Sequence, residues 1–427
     1  MKFNALKTDV GSFNFEGLRA MSYASTKGSE VGECLQTMGR IKAGDFDSWI
    51  REWSRAADRN ARDAASYLEK GLKASACAAF HRASNYYRAA EFYAKHTEPR
   101  QYELWLQSRE CFMGAARLND PAIQPISIPY LGTSLPGYFV KVGNGKKAPT
   151  LIAHSGYDGS AEELYHFIGA VAPANGWNCL IFEGPGQRGA IHLDPSLTLR
   201  HDWEVPVKAV VDYALTLPEV DADKLALIGY SLGGYLAPRA VAFEHRIKAC
   251  VASSLLTDIG QAFRAVYPRI IRNSEKGFNF LFKILMRFQK DMKWGYEQGE
   301  WVMGVKTPLE FIKFWDDFTL DGLQDKIECP IVSILGVDEI EQTSQKLIDL
   351  IKAWLGDMNV QYHLFDKESG GAAHCQIGNM SLSHAVIFDW LNHTVVQGEP
   401  SCFPMLREID MDMVKAIRIG KRARRSG

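Results

Sequence analysis

The sequence predicts an α/β fold: a mostly parallel, doubly wound sheet with a helical unit before it and a helical lid inserted into it. Three observations carry that expectation. From about Asp45 to Leu118 apolar residues recur at helical spacing with almost no β-branched clusters. After Asn119-Asp120-Pro121 the texture changes to short apolar runs separated by Gly and Pro, alternating with helical segments, which is the pattern of βαβ units. Between Leu255 and about Asp325 lies an aromatic-rich interruption too long for a single crossover. The expected organisation is a helical domain over 1–120, core over 121–254, a lid over 255–325, the rest of the core over 326–400 and a tail over 401–427.

In the helical unit Trp49, Trp53 and Ala57 recur at i, i+4, and Asp45 or Asp47 stands where a helix cap is needed. The stretches Ala76 to His96 and Tyr102 to Ala116 repeat the theme, so at least three packed helices are expected. Phe80, Tyr86, Tyr87, Phe92 and Tyr93 form an aromatic stripe at helical spacing, which reads as packing because such rings bury large areas. In the second region the candidate strands are Ile126 to Pro129, Gly137 to Val142, Thr150 to Ala153, Asn178 to Phe182, Lys224 to Ile228, Ile247 to Ala252, Ile331 to Leu335 and Gln361 to Phe365. Leu225-Ala226-Leu227-Ile228 is the continuous apolar run expected of a parallel strand buried on both faces. The lid carries Phe263, Tyr267, Phe278, Phe280, Phe282, Phe288, Trp294, Tyr296 and Trp301, most of which should pack it onto the body while a few line a pocket.

Composition narrows the function. The 427 residues carry 49 basic and 50 acidic side chains, a net charge of -1, so the basic field that non-specific nucleic-acid binding requires is missing. The run from Lys421 to Arg425 reads as a solvated terminus. The eight cysteines show no CxxC pairing and read as reduced thiols. No leader pattern opens the chain and no stretch has the apolar length of a bilayer span, so a soluble cytoplasmic enzyme acting on a small molecule is expected, with neither nucleic acid nor membrane as partner.

The chemistry concentrates in Leu225-Ala226-Leu227-Ile228-Gly229-Tyr230-Ser231-Leu232-Gly233-Gly234, a strand running into G-x-S-x-G and then into a helix-compatible segment. Ser231 has to sit on a turn so tight that a Cβ at Gly229 or Gly233 would collide with its neighbours, and it lies at a helix N-terminus, where amides and dipole favour negative charge. Ser231 is therefore the expected nucleophile. The acid should emerge after a later strand. Pro330 to Leu335 is such a strand, and it releases into Gly336-Val337-Asp338-Glu339, where Asp338 is the expected acid and Glu339, one residue on, the alternative. His374, in the small-residue loop Gly370-Gly371-Ala372-Ala373-His374, is the expected base. An oxyanion hole needs amides after an early strand. His154-Ser155-Gly156-Tyr157-Asp158-Gly159 supplies that loop, and the amides of Tyr157 and Leu232 are assigned, with Asp158 bracing the loop through its side chain. Glu183-Gly184-Pro185-Gly186-Gln187-Arg188-Gly189 is a tight turn that lacks the Lys-Ser/Thr ending of a phosphate loop, and no His/carboxylate cluster stands at ligand spacing. Neither cofactor nor metal is expected.

The combination of Gly156-Tyr157-Asp158-Gly159 with Glu162-Glu163, Gly184-Pro185-Gly186-Gln187, Gly229-Tyr230-Ser231-Leu232-Gly233-Gly234 and His374-Cys375-Gln376 resembles a branch of the α/β-hydrolases with an N-terminal helical domain. That branch includes 2,6-dihydropseudooxynicotine hydrolase and the fungal polyketide-shortening hydrolases of melanin synthesis. The resemblance covers most of the chain. It implies a triad of Ser231, Asp338 and His374, cleavage of a carbon-carbon bond beside a carbonyl or hydrolysis or transfer of an acyl group, and a homodimer whose helical domain helps to cover the site. The nicotine-pathway member has an additional carboxylate between nucleophile and acid, and Asp258 lies in the corresponding region here, with no shared motif that pins it.

Overall fold

The computed structural model describes residues 11–143, 145–266, 274–342, 354, 360–397, 401–403 and 405. Tyr267 and the basic run from Lys421 to Arg425 lie outside these residues. Among the described residues five α-helices come first: α1 (Gly11–Met21), α2 (Val31–Met38), α3 (Phe46–Glu69), α4 (Lys73–Glu91) and α5 (Pro99–Leu118). Asp45 caps α3, its carboxylate accepting from the Ser48 amide at 3.0 Å. Trp49, Trp53, Tyr86 and Tyr93 of the predicted aromatic pattern are buried together with Phe13 of α1, forming the core of this unit. Sequence periodicity found the helical pattern only from Asp45. The two helices before it are short, and α1 buries Glu16 and Arg19 beside Phe13 and Ala20, which blurs an amphipathic signal.

The sheet follows. Among the described residues it has eight strands in the order β1-β2-β4-β3-β5-β6-β7-β8. These are β1 (Gln124–Tyr130), β2 (Thr133–Val140), β3 (Ala148–His154), β4 (Asn178–Phe182), β5 (Val220–Tyr230), β6 (Ile247–Ser253), β7 (Ile331–Gly336) and β8 (Val360–Phe365). Strands β3 to β8 pair in parallel, whereas β1 pairs with β2, and β2 with β4, antiparallel. Each candidate strand read from the sequence coincides with one of these eight, and the predicted fold class holds. Alternate residues of the buried strands feed two apolar layers. Ile152, Leu180, Leu227 and Ala252 face one side, and Leu151, Ile181, Ile228 and Val251 the other.

Helices α6 (Ala161–Leu164), α7 (Arg188–Leu193), α8 (Glu204–Ala214) and α9 (Gly233–Val241) connect the early strands. Between β6 and β7 run α10 (Ile259–Val266), α11 (Glu275–Phe288), α12 (Lys290–Met303) and α13 (Pro308–Phe314). Thr307 and Glu310 close a reciprocal capping box on α13, with Pro308 in its first turn. Helix α14 (Val337–Gln342) leaves β7, and α15 (Met380–Leu391) packs against the sheet after β8. Of the aromatics in the β6–β7 segment, Phe278, Phe282 and Tyr296 are buried, while Phe280 and Phe288 are exposed. Trp294 docks α12 on the first helical unit: its ring stacks on Phe92 at 4.5 Å, and its Nε1 donates to the Phe92 carbonyl at 2.8 Å.

An aromatic stack and a hydrogen bond together contribute about 1.5–2.5 kcal/mol. Trp294→Ala is therefore expected to speed limited proteolysis within α11 and α12 roughly tenfold or more while the sheet stays resistant, measured by mass mapping of the first cleavages.

Candidate active site

Strand β5 delivers Ser231 on a left-handed backbone, φ 59°, directly before α9. The crowding that requires glycine is visible at Gly229, where a Cβ would stand 2.2 Å from the Gly233 carbonyl oxygen. Gly233 is less constrained than the motif suggests, because its Cβ would meet nothing nearer than 3.3 Å. The Ser231 hydroxyl donates to His374 Nε2 at 2.9 Å. His374 lies in the loop that follows β8, as expected, and its Nδ1 donates to a carboxylate.

That carboxylate belongs to Glu339, not Asp338. The chain coils into α14 immediately after Gly336, so adjacent residues diverge by a helical step of about 100°. Asp338 is turned outward, 39% exposed, onto Lys367 Nζ at 3.2 Å, whereas Glu339 is 14% exposed and faces His374. Glu339 is also held from behind. The Ser254 hydroxyl donates to its Oε1 and the Gly336 amide to its Oε2, the latter at 2.7 Å. Ser254 has a positive φ of 72° at the end of β6, a backbone strain that aims its hydroxyl at the acid. Nothing in the sequence marked Ser254.

Burial works against a charged imidazole at His374, but the neighbouring Cys375 and the Glu339 carboxylate outweigh it and hold the pKa well above the ordinary histidine value. His154, by contrast, is buried beneath the elbow with Nδ1 donating to the Ser155 carbonyl at 2.9 Å, and burial pushes its pKa down to about 4. It is a neutral packing residue.

The loop assigned to the oxyanion hole passes hard against the elbow: a Cβ on Gly156 would fall 2.5 Å from the Leu232 amide nitrogen. This close approach brings the segment carrying Tyr157 alongside the segment carrying Leu232. Three side-chain groups grip the loop. Gln187 Nε2 donates to the carbonyls of Ser155 and Gly156 at 2.7 and 3.3 Å, while Gln187 Oε1 accepts from the Gly184 amide at 2.9 Å. The Tyr157 hydroxyl donates to the Gly295 carbonyl of α12 at 2.9 Å. Arg19 of α1 reaches Asp158 at 3.1 Å. Of these anchors, the Gly-Pro-Gly-Gln turn was visible in the sequence without a role, and Arg19 was not visible at all.

A cavity of about 500 Å³ opens above Ser231, His374 and Glu339. Its walls include Ile259, Phe263, Met292, Phe311, Trp315 and Tyr362, so they are largely apolar and aromatic. A second cavity of about 50 Å³ also reaches Ser231 and His374, lined by Phe15, Arg19, Asp158 and Ile377. Asp258 does not line either. It caps α10 by accepting from the Gln261 amide at 2.6 Å and pairs with Arg264 at 3.3 Å. Among the described residues one group has metal-ligating atoms in reach of one another, Asp389, His393 and Cys402. Asp389 and His393 stand at i, i+4, so a His/carboxylate pair at ligand spacing exists where none was expected. The cluster shares no residue with either cavity, and Asp389 Oδ2 already accepts from the Cys402 and Phe403 amides.

A nucleophile elbow, a histidine beside it and a carboxylate behind the histidine, at the carboxyl ends of a parallel sheet, define a hydrolase of the α/β class. The chain belongs to the alpha/beta hydrolase family, whose model matches residues 150–375. It is 33% identical over 405 residues to the hydrolase LUC6 of a Fusarium species, covering 90% of this chain and 96% of the relative. A second relative, the 20-hydroxy-prefusarin hydrolase FUS2 of Gibberella moniliformis, is also 33% identical over 90% of this chain and 96% of its own. Among solved structures, 2,6-dihydroxy-pseudo-oxynicotine hydrolase shares the fold with a TM-score of 0.69 at 19% identity, over 88% of this chain and 96% of its own. No helix among the described residues is long and apolar enough to cross a membrane.

Two substitutions separate the adjacent carboxylates. Glu339→Gln is expected to lower kcat by about 10³–10⁴, because the tautomer and the charge that stabilise the imidazolium are lost. Asp338→Asn should stay within about twofold of wild type by the same steady-state assay. The sign of the pH dependence follows from the raised His374 pKa: a protonated imidazole cannot accept the Ser231 proton. The acidic limb of kcat/KM should therefore lie above the ordinary histidine value, and in Glu339→Gln it should move to lower pH.

Proposed function

We propose that Ser231, His374 and Glu339 form a triad that hydrolyses a bond at an activated carbonyl of a medium-sized, largely apolar substrate, a polyketide-like or aryl ketone. The observation that carries this reading is the 2.9 Å contact of Ser231 with His374 on the floor of an aromatic cavity of about 500 Å³. Ser231 Oγ attacks the carbonyl carbon while His374 Nε2 takes its proton. The amides of Tyr157 and Leu232 receive the oxyanion, and the same proton goes to the departing group. Water then repeats the cycle on the acyl-serine. Cleavage of a carbon-carbon bond is the favoured form: its carbanion-like ketone leaving group would take its proton from His374, which the Glu339 carboxylate orients. The name of one relative, 20-hydroxy-prefusarin hydrolase, is in keeping with a small organic substrate.

Ester or thioester cleavage is the second reading, and it has an observation of its own. Asp258, which stood where an extra carboxylate would assist ketone departure, is committed to capping α10 and to Arg264. An ester needs no such group.

A fluorophosphonate probe should label wild type and not Ser231→Ala, and that substitution should lower kcat by about 10⁴–10⁶. A parallel turnover screen of aryl esters and β-diketones then decides the chemistry. Faster diketone cleavage supports carbon-carbon hydrolysis, and ester preference promotes the second reading. If wild type is not labelled, the serine mechanism is wrong.

A further inference from the structure

Arg19 projects from α1 into the seam between the first helical unit and the sheet, and it is only 7% exposed. Its guanidinium makes a two-pronged pair with Glu163, Nε to Oε1 at 2.7 Å and Nη2 to Oε2 at 2.6 Å. Its third nitrogen, Nη1, bridges Asp158 at 3.1 Å and Glu16 at 3.3 Å. Glu163 sits on α6, immediately after the loop that carries Tyr157, and it also accepts from the Tyr23 hydroxyl at 2.5 Å and lies 3.4 Å from Arg88. Burial alone would raise the Glu163 pKa, but Arg19 and Arg88 outweigh it and hold the pKa down to about 2. The Arg19–Glu163 fork is thus a fixed, fully charged post, and Asp158, with a quarter of its side chain exposed, is tied to it from the loop.

We propose that Arg19, acting through Asp158, is a positioning residue for the oxyanion hole, so that the first helical unit sets the geometry of the reaction centre. The inference rests on the serine-hydrolase reading above. Asp158 directly follows Tyr157, whose amide is assigned to the hole, and a displacement of the loop moves that amide. On the opposite side the loop has no slack, since Gly156 already lies against the Leu232 amide. A hole of this kind acts only if its donors stand about 3 Å from where the oxyanion forms, so a small displacement weakens the transition state more than the ground state. A tie that merely held the fold together would move stability and leave this distinction untouched.

Two substitutions loosen the tie without emptying the buried post. Asp158→Asn keeps the side-chain volume and leaves Arg19 paired with Glu163. Arg19→Lys keeps a cation on Glu163, but a single ammonium cannot span both the Glu163 fork and Asp158. Each should lower kcat for 4-nitrophenyl butyrate by roughly 10- to 100-fold with KM within about twofold. Affinity for phenyl trifluoromethyl ketone should fall by a similar factor. Ser231 Oγ adds to that ketone carbon, its proton passes to His374, and the resulting oxyanion occupies the hole, so this affinity reads the hole whatever substrate is turned over. The double variant should be no worse than the more impaired single one.

The inference is overturned if folded Asp158→Asn binds the ketone within twofold of wild type, or if the two effects multiply. The triad reading fails separately, through Ser231→Ala: ketone binding by that variant equal to wild type removes the nucleophile itself. Should Arg19→Lys not fold, Asp158→Asn alone decides the matter.

Discussion

The left-handed turn at Ser231 is the constraint on which the rest of the site hangs. A non-glycine residue at φ 59° persists only where its surroundings leave no alternative. Here the surroundings are backbone. Gly229 faces the Gly233 carbonyl, and a Cβ on Gly234 would stand 1.9 Å from the carbonyl oxygen of Ser254. Ser254 is itself forced to a positive φ, and its hydroxyl donates to Glu339. Ser231 and Glu339, although they lie 108 positions apart, are thus set by one crowded knot at the ends of β5 and β6, and His374 closes the line between them.

The buried charges at the seam follow a different logic. Arg19, Arg88, Glu16 and Glu163 are all almost inaccessible, and Arg188 pairs with Glu91 at 3.0 Å nearby. Such pairs contribute little net stability compared with apolar packing, yet removing a single partner costs about 3–5 kcal/mol. They span the seam between α1, α4 and α6. Tyr157 and Asp158 are then fixed from two directions, by α12 and by α1, while Gln187 turns the loop carbonyls away.

How much of this was legible depended on whether the signal was local. The strand-to-elbow segment around Ser231 was readable because glycine spacing and a continuous apolar strand report on the same turn. The central strands were readable because burial on both faces leaves nearly uninterrupted apolar runs, and β1 because exposed and buried residues alternate along it. Of the two adjacent carboxylates the sequence offers, Glu339 rather than the expected Asp338 meets His374, for a physical reason: the loop after β7 closes into α14 at once, and one residue of helical rotation exchanges a solvent-facing carboxylate for one facing His374. Arg19, Ser254 and Gln187 act through pairings with residues far along the chain, in Arg19's case 144 positions away at Glu163. No pattern within one stretch of sequence encodes those. Asp258 shows the converse, a carboxylate at a suggestive position whose charge serves a helix end.

The proton has the narrowest path in the proposed reaction. His374 must be neutral to receive it from Ser231, yet Glu339 and Cys375 favour the charged form. That bias is unhelpful for attack and helpful for departure of a poor leaving group, because an imidazolium stabilised by Glu339 persists beside the bond being broken. An apolar cavity reinforces the point: with few competing acids among its walls, His374 is the group placed to protonate what leaves. The small second cavity, which also reaches Ser231 and His374, gives this proton donor a second face bounded by Phe15 of α1. Both faces of the histidine are therefore bordered by elements outside the sheet. The core strands and their loops align Ser231, His374 and Glu339, while the helices before and within the core supply walls of both cavities that reach them.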